Sequence, residues 1–453
     1  MATISSLGIG SGLDLQGMLD QLRQIDEEAY ITPLNDSITK INNQLAGFDS
    51  INQSVLDIQS DALSLALNTT FMGRTVNVGN SSVISASVVD GTTAGSHEVS
   101  VSRLATKSSW ISQSGATSAD AIASVAGGTF SFTVSSGDQV DVTVSANATL
   151  QELADAINNK DAGVTASVVN TGTGANPYKL AINANNTGES SRITITNQLG
   201  DFALDENQGS GGASLNTELT VNGITYQRNS NSNIKDIISG VTLNINSTGS
   251  SSLEVGVNTA SVKDIIKGFV EKFNTLVSDI KNKTGYDEEG NPGLLTDLTS
   301  IKNLSSEITD LMFTNVDVGG SITNMIELGV SVNEDGTITI DETTLDDAIE
   351  NNFDDVKNFF IGNDTVKGFA DKVTDKMNSL TYYGTGILSL EQTTAQSRIE
   401  DIDNEITSTT TRLDEKFTHL TEQFTQLDVV MAQMQAIQDY LTSQFDALAN
   451  YNS

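Results

Sequence analysis

Three glycines, Gly8, Gly10 and Gly12, stand at alternate positions ahead of a helical stretch, a spacing with which a backbone loop could close around a phosphate. A dinucleotide fingerprint needs a strand, a tight turn and a helix together, and no strand-like run precedes Gly8, so phosphate binding is set aside. Ser11 with Asp14 reads instead as a helix-capping pair. A second constellation, Ser331, Asn333, Asp335, Gly336 and Glu342, matches the ligand spacing of a calcium loop. Its first ligand would be Ser where Asp is usual, and its flanks, Val330 with Val332 and Ile338 with Ile340, alternate as strands where a calcium hand has helices. Asp335-Gly336 therefore predicts a hairpin turn, and the stretch 287–293 reads as an acidic loop. The two histidines, His97 and His419, are far apart in sequence and carry no flanking pattern of a catalytic base, so each is read as structural or solvated. Carboxylates are too numerous for one pair to stand out, and Asp346-Asp347 and Asp354-Asp355 read as solvated helix faces. The expectation is a chain with no catalytic residue, no metal site and no cofactor.

Composition narrows the partners. Lys plus Arg number 23 against 58 Asp plus Glu, a formal net charge of -35, and that field repels phosphate backbones and anionic headgroups alike. Nucleic acid and membrane are not expected as partners. Cysteine is absent, which removes a disulfide framework, a thiolate zinc site and a cysteine nucleophile together. No Lys or Arg precedes Arg23 and no apolar run there resembles a signal-peptide core, so the expectation is a cytoplasmic protein or one exported by a machine that reads a disordered end. At 453 residues the chain exceeds one ordinary core, and several domains are expected.

The elements that would position these residues fall into three zones. After Gly386 there is no Gly or Pro, and Leu413, Phe417, Leu420, Phe424, Leu427, Met431, Met434, Leu441, Phe445 and Leu448 recur at alternating spacings of four and three, with Gln438 at the polar seam position. This is a coiled-coil seam. Met431 and Met434 add flexible thioethers suited to varied partners, although core packing is their commoner use. The run Thr407, Thr409, Thr410 and Thr411 predicts a bend, because β-branched side chains lose rotamer freedom on a helix. At the other end Leu15, Met18, Leu22, Ile25 and Ala29 mark a first stripe, and Leu34, Ile38, Ile41, Leu45 and Phe48 a second, with Pro33 opening the new helix and Thr32 as its cap. Each end thus carries an interrupted helix, and the two terminal segments are expected to pair. Between them, residues 74–258 turn to Ser, Thr, Asn and Gly with alternating apolar residues such as Val99 and Val101, Phe130 and Phe132, and Leu243 and Ile245. One helix interrupts these strands, over 150–157 with Thr149 as cap. Helical periodicity returns from Ser261, with a further helix over 296–312. The picture is a helical stalk carrying a β-rich head.

These features resemble the flagellar cap proteins, the hook-associated protein type 2 family. The likeness covers almost the whole chain and rests on Ile9-Gly10-Ser11-Gly12-Leu13-Asp14, Val99-Ser100-Val101-Ser102-Arg103-Leu104-Ala105, Thr149-Leu150, Ala156-Ile157-Asn158 and Gly163-Val164-Thr165-Ala166. It continues through Val221-Asn222-Gly223, Gly240-Val241-Thr242-Leu243, residues 269–276, Gly293-Leu294-Leu295, Tyr440-Leu441 and Gln444-Phe445. Each motif is weak alone; their shared order is specific.

The resemblance implies an α+β multidomain fold with N- and C-terminal coiled-coil helices, a helical leg domain and two inserted β-rich head domains. The expected parts are a coiled-coil domain over 1–32 and 412–453, a leg over 33–73 and 258–411, a first head domain over 74–115 and 213–257, and a second over 116–212. It implies a non-enzymatic, homo-oligomeric ring at the distal filament tip that promotes flagellin insertion. The protein would be secreted through the flagellar type III channel, with flagellin and a dedicated export chaperone at the C-terminal helix as further partners. The partner-binding residues would be Leu15, Met18, Leu22, Ile25 and the ten seam residues from Leu413 to Leu448. The alternatives are a host-mucus or surface adhesin at the filament tip and another hook-associated junction protein. A secreted hydrolase would need a constellation that the sequence does not contain.

Overall fold

The computed structural model describes residues 7–118, 127–200 and 202–451, with side chains through 448; the rest of the expected terminal and second head segments lies outside the described residues. Helix α1 spans Leu15–Tyr30 and α2 Thr32–Leu65. There follow β1 (Arg74–Val78), β2 (Ile84–Val88), β3 (Gly95–Arg103), β4 (Lys107–Ser112), β5 (Gly128–Val134), β6 (Val140–Val144) and α3 (Leu150–Asn158). Then come β7 (Val164–Asn170), β8 (Tyr178–Thr187), β9 (Ile193–Asn197), β10 (Leu204–Gln208), β11 (Thr217–Val221), β12 (Ile224–Arg228), β13 (Val241–Ile245) and β14 (Gly249–Val257). The chain ends through α4 (Thr259–Thr284), α5 (Thr299–Met312), β15 (Val330–Val332), β16 (Ile338–Ile340), α6 (Glu342–Asn351), α7 (Phe353–Ile361), α8 (Phe369–Thr381) and α9 (Ile387–Tyr451). Two compact units result, one from residues 1–67 with 263–453 and one from 68–262.

In the helical unit, α2 buries Ile41, Phe48, Ile51, Val55, Ile58, Ala62 and Leu65, the three-and-four spacing of one helix face. Helix α4 turns Phe269, Phe273, Leu276 and Ile280 inward. Phe359 of α7 stacks on Phe369 of α8 with centroids 5.2 Å apart, and Phe269 meets Phe369 edge-on at 6.1 Å, so three helices share one aromatic contact. The expected hairpin forms between β15 and β16, with Gly336 at φ +75° and the Asp335 carboxylate accepting the Thr337 N–H at 3.0 Å. Glu342 starts the next helix and pairs with Lys267 at 2.6 Å.

Three local expectations change. Thr32 does not cap α2. Ile31 keeps helical dihedrals and links α1 to α2 with no side-chain cap, so Thr32 already lies inside the helix beside Pro33. The threonine run does not interrupt α9, because the Thr407 and Thr411 hydroxyls bond the carbonyls of Asp403 and Thr407 and Thr409 is buried. Only the N-terminal end is therefore interrupted. Helix α5 starts at Thr299, since the Thr296 hydroxyl is spent on the carbonyls of Gly285 and Gly293 in the preceding turn.

The β unit contains two cores. A five-stranded antiparallel sheet in the order β1-β14-β3-β11-β12 packs with the β13-β2 pair around Val99, Val101, Leu219, Leu243 and Leu253. A four-stranded sheet, β10-β4-β8-β7, a three-stranded sheet, β6-β5-β9, and α3 enclose Phe130, Phe132, Leu153, Ile157, Leu180 and Ile182. Helix α3 has the expected cap, completed as a box: Glu152 N–H to the Thr149 hydroxyl at 3.1 Å and Thr149 N–H to the Glu152 carboxylate at 2.8 Å. Strand β4, placed by sequence in the first head domain, pairs with β8 and β10 of the second. Its Trp110 packs on the second core and donates to the Ile193 carbonyl at 3.0 Å, a demand that alternation alone does not reveal.

Truncating the shared ring of the helical unit, Phe369→Ala, should cost about 3–5 kcal/mol through lost transfer energy and the cavity left behind. Urea unfolding followed by helix signal checks it.

Candidate functional site

Asp14 caps helix α1, its own carboxylate accepting the Gly17 N–H at 2.9 Å. Ser11 is not its capping partner. The Ser11 hydroxyl and N–H both turn to one oxygen of Asp428 on α9, the N–H at 2.8 Å, while Gly8 and Gly10 donate their N–H groups to the other oxygen at 3.2 Å each. The glycine run thus does form an anion cradle, and its occupant is a carboxylate of the same chain. Glycine is needed at Gly8, where at φ +91° a Cβ would stand 2.0 Å from the Leu13 carbonyl oxygen, while at Gly10 a Cβ would crowd the Ala432 Cβ at 3.0 Å. Asp428 is only 8% exposed, on a stretch of helix whose neighbours face solvent. The Ser11 hydroxyl, joined by the N–H groups of Ser11, Gly10 and Gly8, holds this carboxyl below the usual carboxylate range against the opposing effect of burial.

From that latch α1 runs along α9. Leu19, Leu413 and Phe417 form a small buried core, with Leu7, Ile31, Leu420 and Phe424 packed around it. Charged pairs flank the core: Arg23 to Asp414 at 2.6 Å and Lys416 to Asp26 at 2.7 Å, with both cations within about 6 Å of the Phe417 ring. These exposed pairs contribute roughly 0–1 kcal/mol each, so the apolar contact dominates and the charges fix register.

The fourteen seam residues named from sequence divide three ways. Leu15, Leu413 and Phe417 are buried; Leu420, Phe424 and Met431 are half-buried; Met18, Leu22, Ile25, Leu427, Met434, Leu441, Phe445 and Leu448 are exposed, Met434 to 63% and Phe445 to 70%. On α1 the buried residues are Leu15 and Leu19, and Leu19 is the one that joins Leu413 and Phe417 of α9, whereas Met18, Leu22 and Ile25 are exposed. A helix with apolar residues on two stripes does not reveal by periodicity which one the chain itself covers. Sequence reasoning missed Leu19, for which its spacing of four from Leu15 was the available signal. It also missed Asp428, for which there was none, since an acid beside a seam position is ordinary on a coiled coil. Val430 and Ile437 widen the exposed apolar face of α9. His97 Nδ1 lies 3.0 Å from the Asn222 amide, and His419 is exposed on α9 with Glu422 3.6 Å away. What the arrangement can do chemically is associate: it offers helices with unburied apolar faces.

The sequence matches two models of one family, Flagellar hook-associated protein 2 C-terminus over residues 214–436 and Flagellar hook-associated protein 2 N-terminus over residues 11–108, and a Flagellin hook IN motif over 129–186. It is 29% identical to a B-type flagellar hook-associated protein 2 of Pseudomonas aeruginosa, across 98% of this chain and 93% of that one. It is 28% identical to a flagellar hook-associated protein 2 of Escherichia coli, across 99% of this chain and 100% of that one. Among solved structures it is similar to the D1-D2-D3 domains of the flagellar cap protein FliD from Escherichia coli, with a TM-score of 0.48 and 21% identity, covering 77% of this chain and 99% of that one. The chain belongs to the flagellar hook-associated protein 2 family.

Replacing the latch carboxylate, Asp428→Asn, should raise amide exchange at Gly10 and Ser11 about tenfold while leaving protection in α4 unchanged. Because the folded carboxyl is depressed, its stabilising contribution is complete above the unfolded-state value and is lost as pH falls through the folded value. The difference between parent and variant should therefore persist from about pH 7 to about pH 5 and vanish in strong acid. Hydrogen exchange read by mass spectrometry at each pH checks both statements.

Proposed function

We propose that this chain caps the distal tip of the bacterial flagellar filament, where copies of it assemble with one another and promote the insertion and polymerisation of exported flagellin. Family membership sets the place. The observation that carries the working part is the apolar face of α9 over residues 427–448, with Met18, Leu22 and Ile25 on α1, which the described residues leave largely exposed. Burying a large apolar side chain is worth about 1.5–3 kcal/mol, so a partner helix laid on this face gains by several such steps. Flagellin and neighbouring cap copies are the partners we assign to it. The thioethers of Met431 and Met434 suit a filament end whose shape changes with each added subunit.

The chain acts in four parts in this reading: the terminal coiled coil (1–32, 412–453), the leg that makes ring contacts (33–73, 258–411), and two head domains that shield the space where flagellin folds, with β4 counted in the second (74–106 with 213–257, and 107–212). Before assembly the same apolar face needs cover, which is the role of a dedicated export chaperone at the C-terminal helix. Export through a narrow channel requires an unfolded chain, and the absence of cysteine leaves no disulfide to obstruct threading. We read the chain as non-enzymatic, since the carboxylates that stand out are engaged otherwise: Asp346 pairs with Lys263 at 2.8 Å, and Asp355 accepts the Ser321 N–H at 2.8 Å. No helix among the described residues is long and apolar enough to cross a membrane.

The exposed positions allow a test that spares the fold. Met434→Asp with Phe445→Asp should shift stability by no more than about 0.5 kcal/mol, because neither side chain is buried in the free chain. Cells carrying the pair should nonetheless release unpolymerised flagellin into the medium, as should cells with the chain truncated from Arg412 onward. Filaments of normal length in both strains would refute the assignment.

A further inference from the structure

We infer that the two β-domains of the insert are locked into one rigid arm by a polar joint, in which the turn 188–192 of the second domain is seated on the turn 229–231 of the first. The chain crosses between these domains twice, outward near 104–107 and back near 213–217. Two adjacent crossings could serve as a hinge, and a hinge absorbs its motion in backbone that makes few fixed contacts. Here the crossing backbone is engaged throughout. Thr106 N–H donates to the Leu215 carbonyl, Gly188 N–H to the Thr106 carbonyl, and the Arg103 guanidinium to the Asn216 carbonyl, each at 2.9 Å. Asn231 grips Ala105 at both ends, accepting its N–H at 2.7 Å and donating to its carbonyl at 2.8 Å.

The turn 188–192 adds a second layer. Thr187 donates its hydroxyl to the Asn229 carbonyl at 2.6 Å, and the Asn229 amide oxygen accepts the Ser190 N–H at 3.0 Å. The Asn216 amide oxygen accepts the Glu189 N–H at 2.9 Å, and the Glu189 carboxylate in turn accepts the Leu215 N–H at 2.8 Å. Arg192 holds both oxygens of Glu189, at 2.7 and 3.0 Å, reaches Glu206 at 2.6 Å, and donates to the carbonyls of Gly209 and Ala213. One guanidinium therefore ties the turn of the second domain to the segment that leads back to the first. The approach is close enough to demand glycine: at Gly188, φ +89°, a Cβ would stand 2.4 Å from the Asn229 Cα. Arg192 draws the Glu189 carboxyl down to about 2, in keeping with a charged pair that is partly shielded from water.

The natural absence of cysteine makes a distance test clean. Spin labels at Thr93→Cys in the first domain and Lys160→Cys in the second, both exposed positions of the full chain, report the interdomain distance by pulsed electron paramagnetic resonance. The parent should give one narrow distribution. Glu189→Gln, and separately Gly188→Val, should broaden it at least about twofold while amide protection in α3 and in the β13-β2 pair is kept, because only the joint is released. A parent distribution that is already broad overturns the rigid arm, as does an unchanged width in both variants. Broadening accompanied by lost protection in α3 also overturns it, since the turn would then serve the second domain's own fold.

Discussion

Helix length is the constraint on which the rest of this structure depends. Helix α9 has 65 residues and α1 has 16, which at 1.5 Å per residue is about 98 Å against about 24 Å. The short helix can cover only a part of the long one. It covers the part containing Leu413 and Phe417, and among the described residues the cover reaches as far as the Gly8–Asp428 latch. Beyond that point the same seam pattern continues with no described residue of its own chain covering it. A chain that leaves such a face open is built to be completed by something else.

The latch shows how that boundary is fixed. A hydrophobic contact between two helices is non-directional and could slide along the seam, because successive heptads offer similar surfaces. Three backbone N–H groups and a hydroxyl converging on one carboxylate allow a single register. The glycines that permit it serve by what they lack, since a side chain at Gly8 or Gly10 would meet the Leu13 carbonyl or Ala432. The β unit uses the same economy, where the absence of a Cβ at Gly188 admits Asn229. In both places polar groups set geometry, and beside the latch the apolar contact of Leu19, Leu413 and Phe417 supplies the larger share of stability.

Much of the fold could be read from residue order. The alternation of Phe130 with Phe132 and of Val99 with Val101, the Thr149–Glu152 cap and the Asp335-Gly336 turn each depend on neighbours within a few residues, and each appears where expected. The failures share a cause. Strand β4 was misplaced because its partners, β8 and β10, lie about 70 to 100 residues downstream, and pairing across that distance leaves no local periodicity. The expected break at the threonine run did not occur because propensity is a weak force, a few tenths of a kcal/mol per residue, beside hydroxyls satisfied on the preceding turn and a buried Thr409.

By itself the sequence determined that the ends are helical with apolar seams, that the middle is β-structure, and that neither thiol chemistry nor a disulfide is available, since these follow from residue types and spacings of two, three and four. Only the tertiary structure decided that Leu15 and Leu19 face inward where Met18, Leu22 and Ile25 face out, and that Asp428, 417 residues beyond Ser11, is the anion in the glycine cradle. Periodicity marks a face as apolar, but which face finds a partner, and how far along, depends on chain closure between residues that no local pattern relates.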